Sequence, residues 1–244
     1  MTHGAAAGKH APAIEGKSVY YQRIIWEPQL RPRRRPGQMT VRLHFGDLPD
    51  GLDFGAVAAV DTETLGLDVR RDRLCVVQLS RGDGDAEVVR IAPGQKHAPN
   101  LTQLLADPAV LKLFHFARFD LAVLANAFGV MPSPVYCTKI ASKLARTYTD
   151  RHGLKDLARE LLGVDLSKQQ QSSDWGAPEL SEAQLAYAAS DVLYLHSLRE
   201  KLDEMLEREG RAELARAAFR YLPDRARLDI AGFADMDIFA HASP

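Results

Sequence analysis

Three short stretches of this chain place carboxylates beside residues that belong in a core. The first is Ala59-Val60-Asp61-Thr62-Glu63-Thr64-Leu65-Gly66-Leu67, the second is His115-Phe116-Ala117-Arg118-Phe119-Asp120-Leu121, and the third is Tyr187-Ala188-Ala189-Ser190-Asp191-Val192. An anion at the edge of an apolar core is costly unless a cation neutralises it. Acids that converge there without a cysteine or histidine cluster point to a hard divalent ion such as Mg2+ or Mn2+. Two such ions held between carboxylates are a recurrent device for cleaving phosphodiesters.

The spacing adds to the residue types. Asp61 and Glu63 are two apart, so on a strand both point to one face, and they follow the apolar run Val57–Val60 at its end. Tyr187 and Asp191 stand four apart and share one face of a helix. There the tyrosine could orient a water bound to the ion that Asp191 holds. Asp120 falls in the first turn of an apolar helix. Each clue has a plain structural alternative: an Asp-Thr turn, an acid favoured by a helix dipole, an incidental surface pair. His115, alone among aromatics, reads as structural rather than as a base.

The elements that must position these residues follow an α/β pattern from Met39 onward. Val41–Phe45 alternates as a strand. Ala56–Val60, Leu74–Leu79 and Ala86–Ile91 read as a three-stranded meander bounded by turn-like segments. A short helix is expected over Asn100–Asp107 with Asn100 as its cap. A strand over Val110–Phe114 and a helix over Phe119–Phe128, stopped by Gly129, come next. Val135–Cys137 leads into a helix at Lys139–Arg146, and Leu154–Leu162 into Gly163. The polar stretch Leu166–Gly176 reads as a loop. Ser181 and Gln184 form a capping signal for one long helix running to about Glu209, and a short helix over Ala212–Tyr221 precedes an irregular tail.

Composition narrows the class. Of 244 residues, 46% are hydrophobic and 26% charged, which suits a single soluble domain. Cys75 and Cys137 are far apart and read as small buried side chains in a reducing, cytoplasmic setting. No apolar run is long enough for a membrane span. The net charge of −1 hides an asymmetry: residues 1–38 hold seven basic and two acidic residues, and the rest 24 basic and 30 acidic. Residues 1–38, rich in Pro and Arg, are expected to be a flexible basic arm preceding a domain over 39–244. An acidic body is a poor general binder of long nucleic acid.

The order Asp-x-Glu, then Asp, then Tyr-x-x-x-Asp resembles the DEDD exonuclease superfamily in its tyrosine subclass, which includes ribonuclease D. The resemblance narrows with Arg73-Leu-Cys-Val-Val-Gln-Leu79, Thr138-Lys-Ile-Ala-Ser-Lys143, Thr147-Tyr-Thr-Asp-Arg-His-Gly-Leu154, Ser167-Lys-Gln-Gln-Gln-Ser-Ser-Asp-Trp175 and Asp237-Ile-Phe-Ala-His241. These look like the nanoRNase C family, and the likeness spans Met39 to the C-terminus. It implies a ribonuclease H-like mixed sheet flanked by helices and 3′–5′ hydrolysis of very short oligoribonucleotides, especially dinucleotides, in the last step of RNA turnover. It also implies two divalent cations, Mg2+ or Mn2+, and a homo-octameric ring.

By motif, Asp61, Glu63 and Asp191 would hold the catalytic ion, Asp61 would bridge to a second ion, and Asp120 would hold that second ion. Tyr187 would position the attacking water, and Leu65 would wedge against the terminal bases. Arg151, His152, Lys155 and Lys168 flank the site and are candidates for contacting a 5′ phosphate. Phe116 departs from the asparagine common at its position in ribonuclease D-type sequences. Two further readings stay open: a ribonuclease D-like enzyme that trims longer structured RNA or DNA, and an inactive relative serving as a binding module. The five motif residues argue against the latter.

Overall fold

The computed structural model describes Met1, residues 39–167 and residues 169–241. The expected arm and Lys168 therefore lie outside the described residues. Six β-branched, apolar runs form one sheet: β1 (Thr40–Phe45), β2 (Val57–Thr64), β3 (Leu74–Ser80), β4 (Asp85–Arg90), β5 (Leu111–Phe114) and β6 (Val135–Cys137). Their order is β1-β4-β3-β2-β5-β6. The expected meander β2-β3-β4 is antiparallel, while β1 joins β4, and β5 and β6 extend from β2, in parallel. β2 runs four residues further than its apolar run suggests, because Asp61–Thr64 continue the pairing with β3. Both acids of the first motif therefore sit on the strand itself.

Among the described residues seven helices flank the sheet: α1 (Pro99–Ala106), α2 (Ala117–Phe128), α3 (Thr138–Ala145), α4 (Leu154–Leu157, continued by a π-helical turn to Leu162), α5 (Glu182–Leu193), α6 (Leu195–Arg208) and α7 (Ala212–Ile230). Neighbouring strand residues face opposite ways, and the two apolar clusters follow that alternation. Val76 and Val88 pack with Trp175 and with Ala188 of α5. Val77 and Val89 join the larger core with residues of α1, α2, α3, α6 and α7. Among the described residues no helix is long and apolar enough to cross a membrane.

Several boundaries differ from the sequence pattern, each for a physical reason. The cap of α1 is not Asn100: Asp47, more than fifty residues away, accepts from the backbone N–H groups of Asn100 and Leu101, both at 2.8 Å. The single long helix expected from Ser181 breaks at Tyr194. α5 then contacts strands β1 to β4, while α6 contacts α3, α7 and β5. The last helix does not stop before Pro223 but carries it inside. Its buried stripe Ala212, Ala215, Phe219, Leu222, Ala226 continues across the proline. That burial offsets the ~3 kcal/mol an interior proline costs a helix. Cys75 and Cys137 are buried and free, as expected.

The Ser181–Gln184 capping box is present as the sequence predicts. Ser181 Oγ accepts from Gln184 N at 3.2 Å, and Gln184 Oε1 accepts from Ser181 N at 2.9 Å. Gln184 also donates to Ser173 Oγ at 3.2 Å and to the Asp174 carbonyl at 3.1 Å, tying the loop before α5 to its first turn. Ser181→Ala is expected to lower stability by about 1 kcal/mol. Gln184→Ala should cost more, because it also removes the two bonds that tie the preceding loop to the helix. Denaturant midpoints check this, and equal losses for the two variants would contradict it.

Candidate active site

Strand alternation turns Asp61 and Glu63 to the same face of β2, the face that α5 covers with Tyr187 and Asp191. One carboxylate oxygen from each of Asp61, Glu63 and Asp191 lies within 4.8 Å of the others. Asp120 reaches the cluster from the first turn of α2 and is buried. It accepts a 2.6 Å hydrogen bond from Thr62 Oγ1, whose side chain leaves β2 on the other face. Phe116, at the N-cap of α2, holds a left-handed conformation with φ 69°, rare for a bulky residue. That turn brings α2 in directly behind β5.

These residues line one cleft of about 780 Å3 that also contains Leu65, Leu67, His115, Phe116, Lys139, Lys155, Ser173 and Trp175. Leu65 stands 53% exposed at its rim. The loop before α5 passes close to it. A Cβ at Gly176 would lie 2.6 Å from Leu65 Cδ2, so a larger residue there would make the exposed Leu65 side chain shift. Trp175 backs Tyr187, with ring centroids 6.0 Å apart. Lys139 Nζ sits 4.2 Å from the centroid of the Phe116 ring, within cation–π range.

The electrostatics of the cluster are those of anions short of a counter-charge. Burial first, then the charges of Asp191 and Asp120, pushes Glu63 up to about 9. Burial raises Asp120 and Asp191 to about 7, opposed in part by the hydrogen bonds from Thr62 and Tyr187 respectively. Asp61 is raised well above its ordinary value by burial and by the charges of Asp120, Asp191 and Glu63. The same field, after burial, raises Tyr187, which stays a protonated donor to Asp191. His115 is lowered to about 3 by burial and then by Lys139, so it is neutral, as a structural histidine should be. Every donor in the acid set is a carboxylate oxygen, which suits hard divalent cations and offers no thiolate to an iron–sulfur cluster.

Not every residue named from the sequence lies in the cleft. Lys155 lines it; Arg151 and His152 do not. His152 Nδ1 is engaged by Ser142 Oγ at 2.8 Å, and the carbonyl of exposed Arg151 accepts from the buried Arg146. Conversely, Thr62, Gln78 and Lys139 contact the acids or line the cleft without any role legible in the sequence. Lys139 and Gln78 lay inside motif segments, which was the available signal.

The fold and this acid cluster define a class, and comparison with known proteins agrees. A family model described as 3′–5′ exonuclease matches residues 51–207. The solved structures of NrnC from Brucella melitensis, bound to pGG and with bound Mg2+, are 61% and 60% identical to the chain, with TM-scores of 0.82 and 0.81. The chain's match covers 84% and 83% of its own length and 100% of each of those chains. Ribonuclease D from Gluconacetobacter diazotrophicus is 40% identical over 168 residues, which is 69% of this chain and 42% of that protein. Escherichia coli RNase D has a TM-score of 0.64 at 29% identity, covering 71% of this chain and 45% of that one. The chain belongs to the 3′–5′ exonuclease family. The ribonuclease H-like fold and the nanoRNase C likeness expected from the motifs are borne out, and the chain spans less than half the length of its curated ribonuclease D relative.

The raised acids predict a pH signature. A carboxyl whose folded value lies above its unfolded value, ~4, contributes stability that is full below that value. The contribution is lost as pH rises through the folded one, here about 7 for Asp120 and Asp191 and about 9 for Glu63. In chelator, the melting temperature is expected to fall across that window, and saturating Mg2+ should raise it most at the alkaline end. A melting temperature in chelator that stays flat from about pH 5 to about pH 9 would contradict the electrostatic reading.

Proposed function

We propose that this chain is a 3′–5′ exoribonuclease that hydrolyses very short oligoribonucleotides, dinucleotides above all, to nucleoside 5′-monophosphates with two divalent cations. The observation that carries the reading is the convergence of Asp61, Glu63 and Asp191 within 4.8 Å at the head of a cleft, with Asp120 beside them. Asp61, Glu63 and Asp191 would hold one ion, and Asp61 with Asp120 the second. Bound there, Mg2+ or Mn2+ would neutralise the acids, polarise the scissile phosphate and make the attacking water more acidic.

The chain's own residues supply geometry. Tyr187, kept protonated, orients the attacking water beside Asp191. The water oxygen bonds to phosphorus as the P–O3′ bond breaks. The proton it loses ends on the departing 3′ oxygen, and the phosphate stays on the 5′ side of the released nucleotide. Leu65, exposed at the rim, would wedge against the terminal bases.

The basic side chains of the cleft support a short substrate. Among the described residues Lys139 and Lys155 are the basic side chains lining the cleft, enough for one or two phosphates and far from the broad positive track a long strand needs. The pGG held by the Brucella protein is a ligand of that size. Within one chain these lysines, which line the cleft where Arg151 and His152 do not, would meet a 5′ phosphate. The resemblance also carries the octameric assembly. A light-scattering mass near that of a single 27.0 kDa chain would contradict it.

Turnover of 5′-phosphorylated RNAs from two to ten nucleotides tests the substrate. Rates should fall steeply beyond the shortest, whereas equal rates at all lengths would favour the ribonuclease D-like alternative. Tyr187→Phe is expected to lower turnover by about 100-fold or more while leaving Mn2+ affinity unchanged, since it removes a hydroxyl and no ligand. Calorimetry showing lost affinity would contradict that role.

A further inference from the structure

Gln78 is an uncharged polar residue in the middle of β3, whose other positions are Leu-Cys-Val-Val before it and Leu-Ser after it. It is fully buried. The antiparallel register sets it directly opposite Asp61 on β2 and opposite Val88 on β4. Val76 and Val88 of the same face pack with Ala188 and Trp175. A leucine or methionine would fill such a slot without any polar group to satisfy.

The carboxamide has one partner. Its Nε2 donates to Asp61 Oδ2 at 2.6 Å, and its Oε1 is buried with no hydrogen bond. A buried amide with an idle acceptor is a net burden on the core. Packing therefore does not account for it, whereas its effect on Asp61 does. The terminal torsion of an aspartate is broad, so burial alone leaves the plane of the Asp61 carboxylate loosely set. Asp120 has its plane set by Thr62 Oγ1 at 2.6 Å, and Asp191 has the Tyr187 hydroxyl. Gln78 does the same for Asp61, the acid that would touch both ions.

We infer that Gln78 is a positioning residue of the active site: its amide holds one oxygen of Asp61 and so fixes the direction in which the carboxylate meets the metal ions. The inference rests on the metal reading above and extends it to a residue outside the acid–tyrosine set. Gln78 touches neither ion nor substrate and acts only through Asp61. An outer hydrogen-bond partner of this kind sets affinity by keeping the ligand preorganised.

Calorimetric titration of Mn2+ into the full chain, without substrate, tests this. Gln78→Met and Gln78→Leu fill the slot without a donor, and Gln78→Asn keeps a buried amide one methylene too short to reach Asp61. Each is first checked for a cooperative melt in chelator. Any folded variant of the three is expected to bind Mn2+ about 10- to 100-fold more weakly than the wild type. Affinity within less than about tenfold of the wild type in a folded variant would overturn the role. Asp61→Asn separates the two levels. If that change leaves Mn2+ binding intact, the metal assignment itself fails. If it abolishes binding while Gln78→Met does not weaken it, only the positioning role fails.

Discussion

The crowding of four buried or half-buried carboxylates is the constraint on which this structure turns. Asp61, Glu63, Asp120 and Asp191 sit where burial makes ionisation unfavourable, and neighbouring acids add to that cost at Asp61, Glu63 and Asp120. A fold does not keep four such groups together for stability, since an apolar set of the same volume would pack better. The cluster makes sense when an external cation completes it. The surrounding fold then reads as a means of holding anions in place until that cation arrives.

The sheet topology meets that demand by putting β2 near the centre, between antiparallel β3 and parallel β5. The strand delivers groups to both faces at its end. Asp61 and Glu63 face α5, and Thr62 between them faces α2 and steadies Asp120. Neutral donors surround the anions: a threonine hydroxyl, a tyrosine hydroxyl and a glutamine amide. None of them supplies a full positive charge, so each fixes direction without competing with a divalent ion for the acids. The loop before α5 closes the rim against Leu65 by virtue of Gly176 and is tied to α5 by Gln184.

Much of this was legible in the sequence because it depends on local pattern. The strand runs, the Ser181–Gln184 cap and the Gly129 and Gly163 stops are local, and the acid spacing is set by strand and helix periods. What escaped depends on partners distant in the chain. Asp47 caps α1 across more than fifty residues, and Gln78 meets Asp61 only through strand pairing. The break at Tyr194 carries no glycine or proline to announce it. Pro223 misled in the opposite sense: it is a strong local stop signal, outweighed by an apolar stripe that continues past it. His152 and Arg151, suggested by charge and proximity in sequence, do not line the cleft, and Ser142 and the buried Arg146 bond to their segment.

The central claim is that divalent cations replace protons in the acid cluster. Proton release on Mg2+ binding, measured by calorimetry at pH 7 in buffers of different ionisation enthalpy, tests it most directly. Asp120 and Asp191 at about 7 and Glu63 at about 9 are partly or largely protonated there. The account predicts that binding expels about one proton or more per chain at pH 7, with release shrinking as pH rises past the Glu63 value. Tight Mg2+ binding with no proton released at pH 7 would contradict it.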